Sequence, residues 1–436
     1  MRILIATAGS RGDVSPFLGL GRRLAEAGHQ VALATHTGFE PQVVAAGLEF
    51  RPLPVDPRAE LAAERGQRML RAGGGPLAMA HLLRMGRSFM PELARGVLEA
   101  ARQGTDLVLL SAPTAPLGQV VAEALEVPSA GVYLQPLDPT GDFLPVIAGT
   151  TRSLGPLGNR AAGRAAALTV DRLYAPTVRA LRRQLDLPAV PAGRLRRRYA
   201  REGWPVFHGF SPSVVRRPAD WAPIARISGY WWPYENPDWQ PPQALRAFLA
   251  EGPPPVFVGF GSLVVGDTDR LGRTVSAALR AAGLRAVVQP GWTGLRVEGP
   301  EVLTVDEVPH SWLFPRMAAV VHHCGAGTTG AGLRAGVPAV PVPAQLDGNF
   351  WAARLAGLGV APEPVPLRRL TADRLAGALR QAVTDPAYRE RATGLAARLA
   401  AEDGAADVLR FVARIATGSP PEAAGPAGPA SRAAAG

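Results

Sequence analysis

Val320-Val321-His322-His323-Cys324-Gly325-Ala326-Gly327-Thr328-Thr329 is the stretch on which the reading of this chain turns. An apolar run ends in two histidines, a glycine-rich turn follows, and the next segment has a helical pattern. That is the architecture of an anion site. Small residues let the backbone approach a ligand, and the unpaired N–H groups of a helix start point at it. Successive residues of a strand face opposite ways, so one histidine should turn toward the ligand and the other into the protein. His323 is expected to face the ligand and His322 to pack. The turn is neither the dinucleotide pattern G-x-G-x-x-G nor a P-loop, since no lysine follows it.

Working outward, the flanking segments alternate strand and helix in both halves of the chain. Residues 2–8 read as a buried parallel strand, Gly9 to Ser15 as a turn, and Pro16 onward as a helix that stops near Gly28. Val31 to Ala34, Leu48 to Phe50, Asp106 to Ser111 and Ser129 to Leu134 read as further strands. Residues 211–242, dense in Pro and Trp, read as an ordered linker. The strand and helix alternation then restarts at Val256 to Phe260, with strands at Arg285 to Val288 and Ala339 to Val342. Thr371 is placed to cap a helix, and helices continue to about residue 415. The expectation is an α/β chain of two Rossmann-like, doubly wound parallel-sheet domains facing a central cleft. The N-terminal domain spans 1–232 and the C-terminal domain 243–415, with its last helices packing back on the first. Residues 417–436 read as a disordered tail.

Composition excludes several classes. The 436 residues carry a net charge of +11, but every one of the 47 basic residues is arginine. With 49 Gly and 43 Pro, this fits GC-rich coding, and no basic run is interleaved with aromatics, so nucleic acid is not expected as a partner. The arginine-rich stretch 150–202 reads as helices with solvated faces. A single cysteine, Cys324, forms no internal disulfide, and no apolar run is long enough for a transmembrane segment. A cytoplasmic protein is expected, and a homodimer is compatible with the sequence.

Several motifs together resemble the GT-B-fold UDP-glycosyltransferase superfamily, above all its bacterial natural-product and sterol-glucosyltransferase-like members. Gly12-Asp13-Val14-Ser15-Pro16 is similar to that superfamily's acceptor-side loop. Val258 to Ser262, Val308-Pro309-His310, the stretch 322–329, Ala335 to Pro338, and Asp347 with Phe350-Trp351 are similar to its donor-binding half. The resemblance implies an inverting, metal-independent transferase that uses a UDP- or dTDP-sugar as co-substrate and no cofactor. Asp13 would be the general base. His323 and the backbone of Gly325, Ala326, Gly327 and Thr328 would hold the donor diphosphate, with Ser262 adding a contact. Val308 would meet the nucleobase through its backbone, and Asp347 would contact sugar hydroxyls. An apolar acceptor, such as an antibiotic precursor or other natural product, would lie near Met79, Met85, Phe89 and Phe143.

Two departures from the family stand out. Relatives often have Asp-Gln-Pro where this chain has Asp347-Gly348-Asn349, which removes a usual sugar-hydroxyl contact and leaves the sugar open. Plant members support their catalytic histidine with an aspartate after a later strand, whereas this chain has Leu110-Ser111-Ala112 near that place.

Other readings compete with these. Asp13 and Asp347 could each do no more than cap a helix. Cys324 reads as a small residue tolerated in a crowded loop, and Trp231, Trp232 and Trp312 as linker and core packing. A membrane-associated transferase with a lipid or sterol-like acceptor shares the expected fold. A sugar-nucleotide epimerase would need further acidic and histidine groups around the sugar. A Rossmann oxidoreductase would need an acid ending the second strand, where Thr35-His36 stands.

Overall fold

In the computed structural model, residues 1–54, 76–344 and 347–418 are described, with backbone alone for 76–88. The side chains of Met79 and Met85 and most of the expected tail lie outside the described residues.

Two parallel sheets organise the chain. The first has the order β3-β2-β1-β4-β5-β6-β7, from β1 (Arg2–Ala6), β2 (Gln30–His36), β3 (Glu49–Leu53), β4 (Leu107–Leu110), β5 (Ser129–Tyr133), β6 (Val206–His208) and β7 (Ala225–Ile227). The second has the order β10-β9-β8-β11-β12, from β8 (Val256–Gly259), β9 (Ala286–Gln289), β10 (Val302–Thr304), β11 (Val320–His322) and β12 (Ala339–Pro341). Every pairing in both sheets is parallel. The period of two sends alternate β1 residues to opposite faces, Leu4 and Ala6 into one core cluster and Ile3 and Ile5 into another. Burial on both faces explains why these strands are continuously apolar.

In the first half, the α-helices among the described residues are α1 (Arg11–Glu26), α2 (Glu40–Ala45), α3 (Pro76–Arg102), α4 (Ala115–Ala124), α5 (Gly155–Gln184) and α6 (Ala192–Arg201). The second half adds α7 (Gln243–Ala250), α8 (Thr268–Ala282), α9 (His310–Leu313), α10 (Ala326–Arg334), α11 (Gly348–Gly357), α12 (Ala372–Thr384), α13 (Pro386–Ala400) and α14 (Ala406–Ala416). The last of these returns to the first sheet. Val408, Phe411 and Val412 join the cluster of Ile3 and Ile5, and Phe411 lies 5.5 Å from Phe207.

Three differences from the sequence reading have physical causes. The turn after β1 is shorter than Gly9 to Ser15, because α1 already starts at Arg11 and Pro16 lies inside it. Asp13 sits at the third helical position and accepts from the Ser10 N–H at 2.9 Å, which starts the helix before the proline. The stretch 211–242 is not linker throughout, since β7 within it extends the first sheet. The arginine-rich helices are not simply solvated. Arg182 is buried and donates to Glu123 at 2.6 Å, and Arg198 donates to the same carboxylate at 2.8 Å. Burial alone would raise the Glu123 pKa, but the two guanidinium groups hold it at about 2.

Strand order reverses at two points, between β1 and β4 and between β8 and β11. Crevices at the carboxyl ends of such strands are where ligands bind in open α/β sheets. Asp13 follows β1, Gly261-Ser262 follow β8, and His323 follows β11.

Candidate active site

The two switch points face each other. A Cβ added at Gly327, in the first turn of α10, would stand 3.8 Å from the Gly12 Cα in the first turn of α1. Arg11 of the first domain pairs with Glu307 of the second at 2.6 Å. Cys324, Leu333, Phe350 and Trp351 of the second domain share one apolar cluster with Phe210, Val214 and Trp221 of the first.

On the first-domain side, Asp13 Oδ2 accepts from the Ser10 backbone N–H at 2.9 Å and the Ser10 hydroxyl at 3.0 Å. Burial raises the Asp13 pKa, while the two Ser10 bonds and Gln135 pull against it. Gly9 has φ +150°, and a side chain there would strike the Asp13 carboxylate. The Gly9 N–H donates to His36 Nε2 at 2.8 Å. Ser111 is committed elsewhere, within 3.2 Å of the Thr114 hydroxyl, which in turn donates to the Ala6 carbonyl. The carboxylate of Asp13 is therefore a helix cap and a cleft group together.

On the second-domain side, Gly325 caps α10 with no side-chain bond, so the N–H groups of Ala326, Gly327 and Thr328 open the helix uncapped. The His323 ring lies in a slot made by two glycines. A Cβ at Gly261 would come within 2.8 Å of its Cε1, and one at Gly325 within 2.7 Å of its Nε2. His323 Nδ1 and Thr329 Oγ1 are buried with no hydrogen-bond partner. Burial lowers the His323 pKa to about 4, so the ring is neutral at pH 7. His322 turns inward, and its Nδ1 accepts from the Cys324 N–H at 3.1 Å. Cys324 takes the left-handed conformation, φ +66°, which explains why a small residue stands there. Its thiol is buried and its pKa pushed up, which leaves it inert as a nucleophile. Ser262 lies partly buried in the turn after β8, and Val308 is buried just before α9.

Asp347 stands at the head of α11, but its side chain makes no capping bond. Instead Oδ2 accepts from the Trp351 indole at 2.8 Å. Burial pushes its pKa up to about 6, and the Asp13 charge adds to the rise, against bonds from Trp351 and Gln135. Phe143 packs edge-on against Phe350 at 5.1 Å, at the cleft, whereas Phe89 packs against the core beneath the first sheet. Gln135 went unnoticed in the sequence, where a lone glutamine after a strand carries no signal. Among the described residues no group of three or more His, Cys, Asp or Glu could hold a metal ion, and no helix is long and apolar enough to cross a membrane.

Comparison with known proteins agrees with this geometry. Residues 3–132 match the glycosyltransferase family 28 N-terminal domain, and residues 292–414 match the C-terminal domain of erythromycin biosynthesis protein CIII-like proteins. The O-mycaminosyltylonolide 6-deoxyallosyltransferase of Streptomyces fradiae is 39% identical over 413 residues, covering 93% of this chain and 95% of that one. A sterol 3-beta-glucosyltransferase of Arabidopsis thaliana is 34% identical over 93% of this chain, which spans 66% of its length. Fungal sterol 3-beta-glucosyltransferases are matched over about 30% of their length. The crystal structure of glycosyltransferase VinC in complex with dTDP superposes with a TM-score of 0.64 at 21% identity, covering 96% of this chain and 100% of that one. With two parallel α/β domains facing one cleft and a full-length relative at 39% identity, the chain belongs to the GT-B glycosyltransferases.

Proposed function

We propose that this chain is an inverting, metal-independent glycosyltransferase that moves a sugar from a UDP- or dTDP-sugar to a hydroxyl of an apolar natural product in the cytoplasm. The observation that carries the reading is the placement of Asp13. It faces Asp347 and the start of α10 across the cleft, so a base and an anion cradle flank one space. The acceptor hydroxyl loses its proton to Asp13 as it attacks the anomeric carbon, and the sugar inverts in one displacement. A carboxylate whose pKa is raised by burial is a better base than one in water, and the Ser10 bonds keep it ionised and aimed. Charge developing on the leaving diphosphate meets the N–H groups of Ala326, Gly327 and Thr328 and the His323 ring. The macrolide-modifying relative and the dTDP complex of a protein of like fold support the donor and acceptor classes.

The test is Asp13→Ala with a panel of UDP- and dTDP-sugars. Transfer should be abolished while nucleotide affinity stays within about twofold; near-normal turnover would remove Asp13 from the role of base.

A second reading, a lipid or sterol-like acceptor, draws on the sterol glucosyltransferase relatives and on Leu154 and Leu157, which are 62% and 80% exposed near Arg160. Flotation with anionic liposomes separates the two readings.

A further inference from the structure

The second strand ends in His36, a residue that the reaction outlined above leaves without a role. Only 3% of it is exposed. Strands β1 and β2 pair in register from Arg2 with Gln30 to Ala6 with Ala34, and the Thr7 N–H still donates to the Ala34 carbonyl at 3.0 Å. Two residues further on, the next rung of a parallel ladder would join the Gly9 N–H to the His36 carbonyl. The imidazole takes that place, and its Nε2 accepts from the Gly9 N–H at 2.8 Å. Accepting there requires a lone pair on Nε2, so the ring is neutral with its proton on Nδ1.

This contact leads directly to Asp13. His36 holds Gly9 at its N–H, and the next N–H along the chain, that of Ser10, donates to Asp13 Oδ2 at 2.9 Å. The Gly9 backbone also walls the carboxylate, since a Cβ there would stand 2.6 Å from the Asp13 Cγ. The main chain of Asp13 is fixed separately. Its carbonyl accepts from Thr7 Oγ1 at 2.8 Å, and its N–H donates to the Ser10 carbonyl at 2.9 Å. What Gly9 and Ser10 decide is where the side chain points.

We propose that His36 is a positioning residue for Asp13: by fixing Gly9 it sets the backbone that aims the carboxylate at the acceptor hydroxyl. This rests on the reading of Asp13 as the base. The role calls for an acceptor atom at a fixed reach, not for an imidazole as such. A glutamine carboxamide oxygen is separated from Cα by the same number of bonds as Nε2 and also accepts. Asparagine falls one bond short, and leucine fills the space without an acceptor.

The experiment has two arms. Nitrogen NMR of the chain carrying labelled histidine, with His36→Gln to identify the His36 signals, reads the tautomer. Nε2 should carry no proton at neutral pH; a protonated Nε2 overturns the proposal. Turnover is then followed with UDP-glucose and dTDP-glucose as donors and 4-methylumbelliferone as acceptor, beside calorimetry of UDP and dTDP. His36→Leu and His36→Asn should lose about ten- to hundredfold in kcat, the scale of a reacting group displaced by about 1 Å, with nucleotide affinity unchanged. His36→Gln should recover most of that loss. Unchanged kcat in the leucine and asparagine variants overturns the proposal, as does a glutamine variant as slow as they are. A loss of nucleotide affinity that matches the fall in kcat also overturns it, because it marks a general loosening of the fold. Should leucine prevent folding, asparagine and glutamine make the comparison. Full turnover in Asp13→Ala instead overturns the reading of Asp13 as the base.

Discussion

The Trp351 indole N–H donates to Asp347 Oδ2 at 2.8 Å, so a fully buried tryptophan one turn into α11 holds the carboxylate at the head of that helix. An apolar anchor thereby aims a charged group into a cleft. The charge is held at a cost, because burial and the facing Asp13 push the Asp347 pKa up to about 6.

That cost predicts a trade between stability and activity at Asp347. An acid whose folded pKa is raised contributes stability below its unfolded pKa, near 4, and loses it as pH rises through about 6. Asp347→Asn keeps an acceptor for Trp351 and removes the charge. Chemical denaturation at pH 7.5 should show the variant more stable by about 2 kcal/mol, with the gain absent at pH 4. Donor-sugar use should fall in the same variant. Equal stability at pH 7.5 would mean that the carboxylate is better solvated than its surroundings indicate.

Activity should fall on the acid side as Asp13 takes up a proton. Its pKa is raised above that of an ordinary aspartate, so the acid limb of kcat/KM should lie at higher pH than the titration of a free aspartate. Ser10→Ala removes a bond that favours the ionised form and should move that limb to higher pH. A limb that does not move assigns the titration to another group.

Donor binding should be linked to His323. Burial holds the free ring neutral, with a pKa of about 4, and an incoming diphosphate would favour the protonated form. Calorimetry of UDP at pH 6 in buffers of different ionisation enthalpy should reveal net proton uptake. His323→Ala should abolish the uptake and weaken nucleotide binding about tenfold, the loss of a hydrogen bond to a charged group.

Away from the cleft, Glu123→Gln should be strongly destabilising, because it leaves the buried Arg182 without its counter-charge. The expected loss is about 3 kcal/mol at pH 7 by urea denaturation. The Glu123 pKa is depressed to about 2, so its contribution is present above its unfolded pKa, near 4.5, and fades as pH falls toward 2. Wild type and variant should therefore converge between pH 4.5 and 2.

The division between sequence and tertiary structure follows the range of the forces involved. Two parallel-sheet halves, the turn and helix start at Gly325 to Thr328 and the Asp13 loop are legible in the sequence. Each is local, written in apolar runs ended by glycine-rich turns and helix starts. The three-residue strands β6, β7 and β10 are not marked by an apolar run ending in a glycine-rich turn as β11 is, and pairing with neighbouring strands defines them. The early start of α1 escaped because Pro16 looks like a beginning, whereas the Asp13 to Ser10 bond sets the true one. Only tertiary structure decided what Asp13 faces. Its repulsion with Asp347, in the other domain, arises from chain folding and not from any spacing. The same holds for Gly348, whose missing side chain reads as a lost contact until the His323 carbonyl is seen to occupy the space.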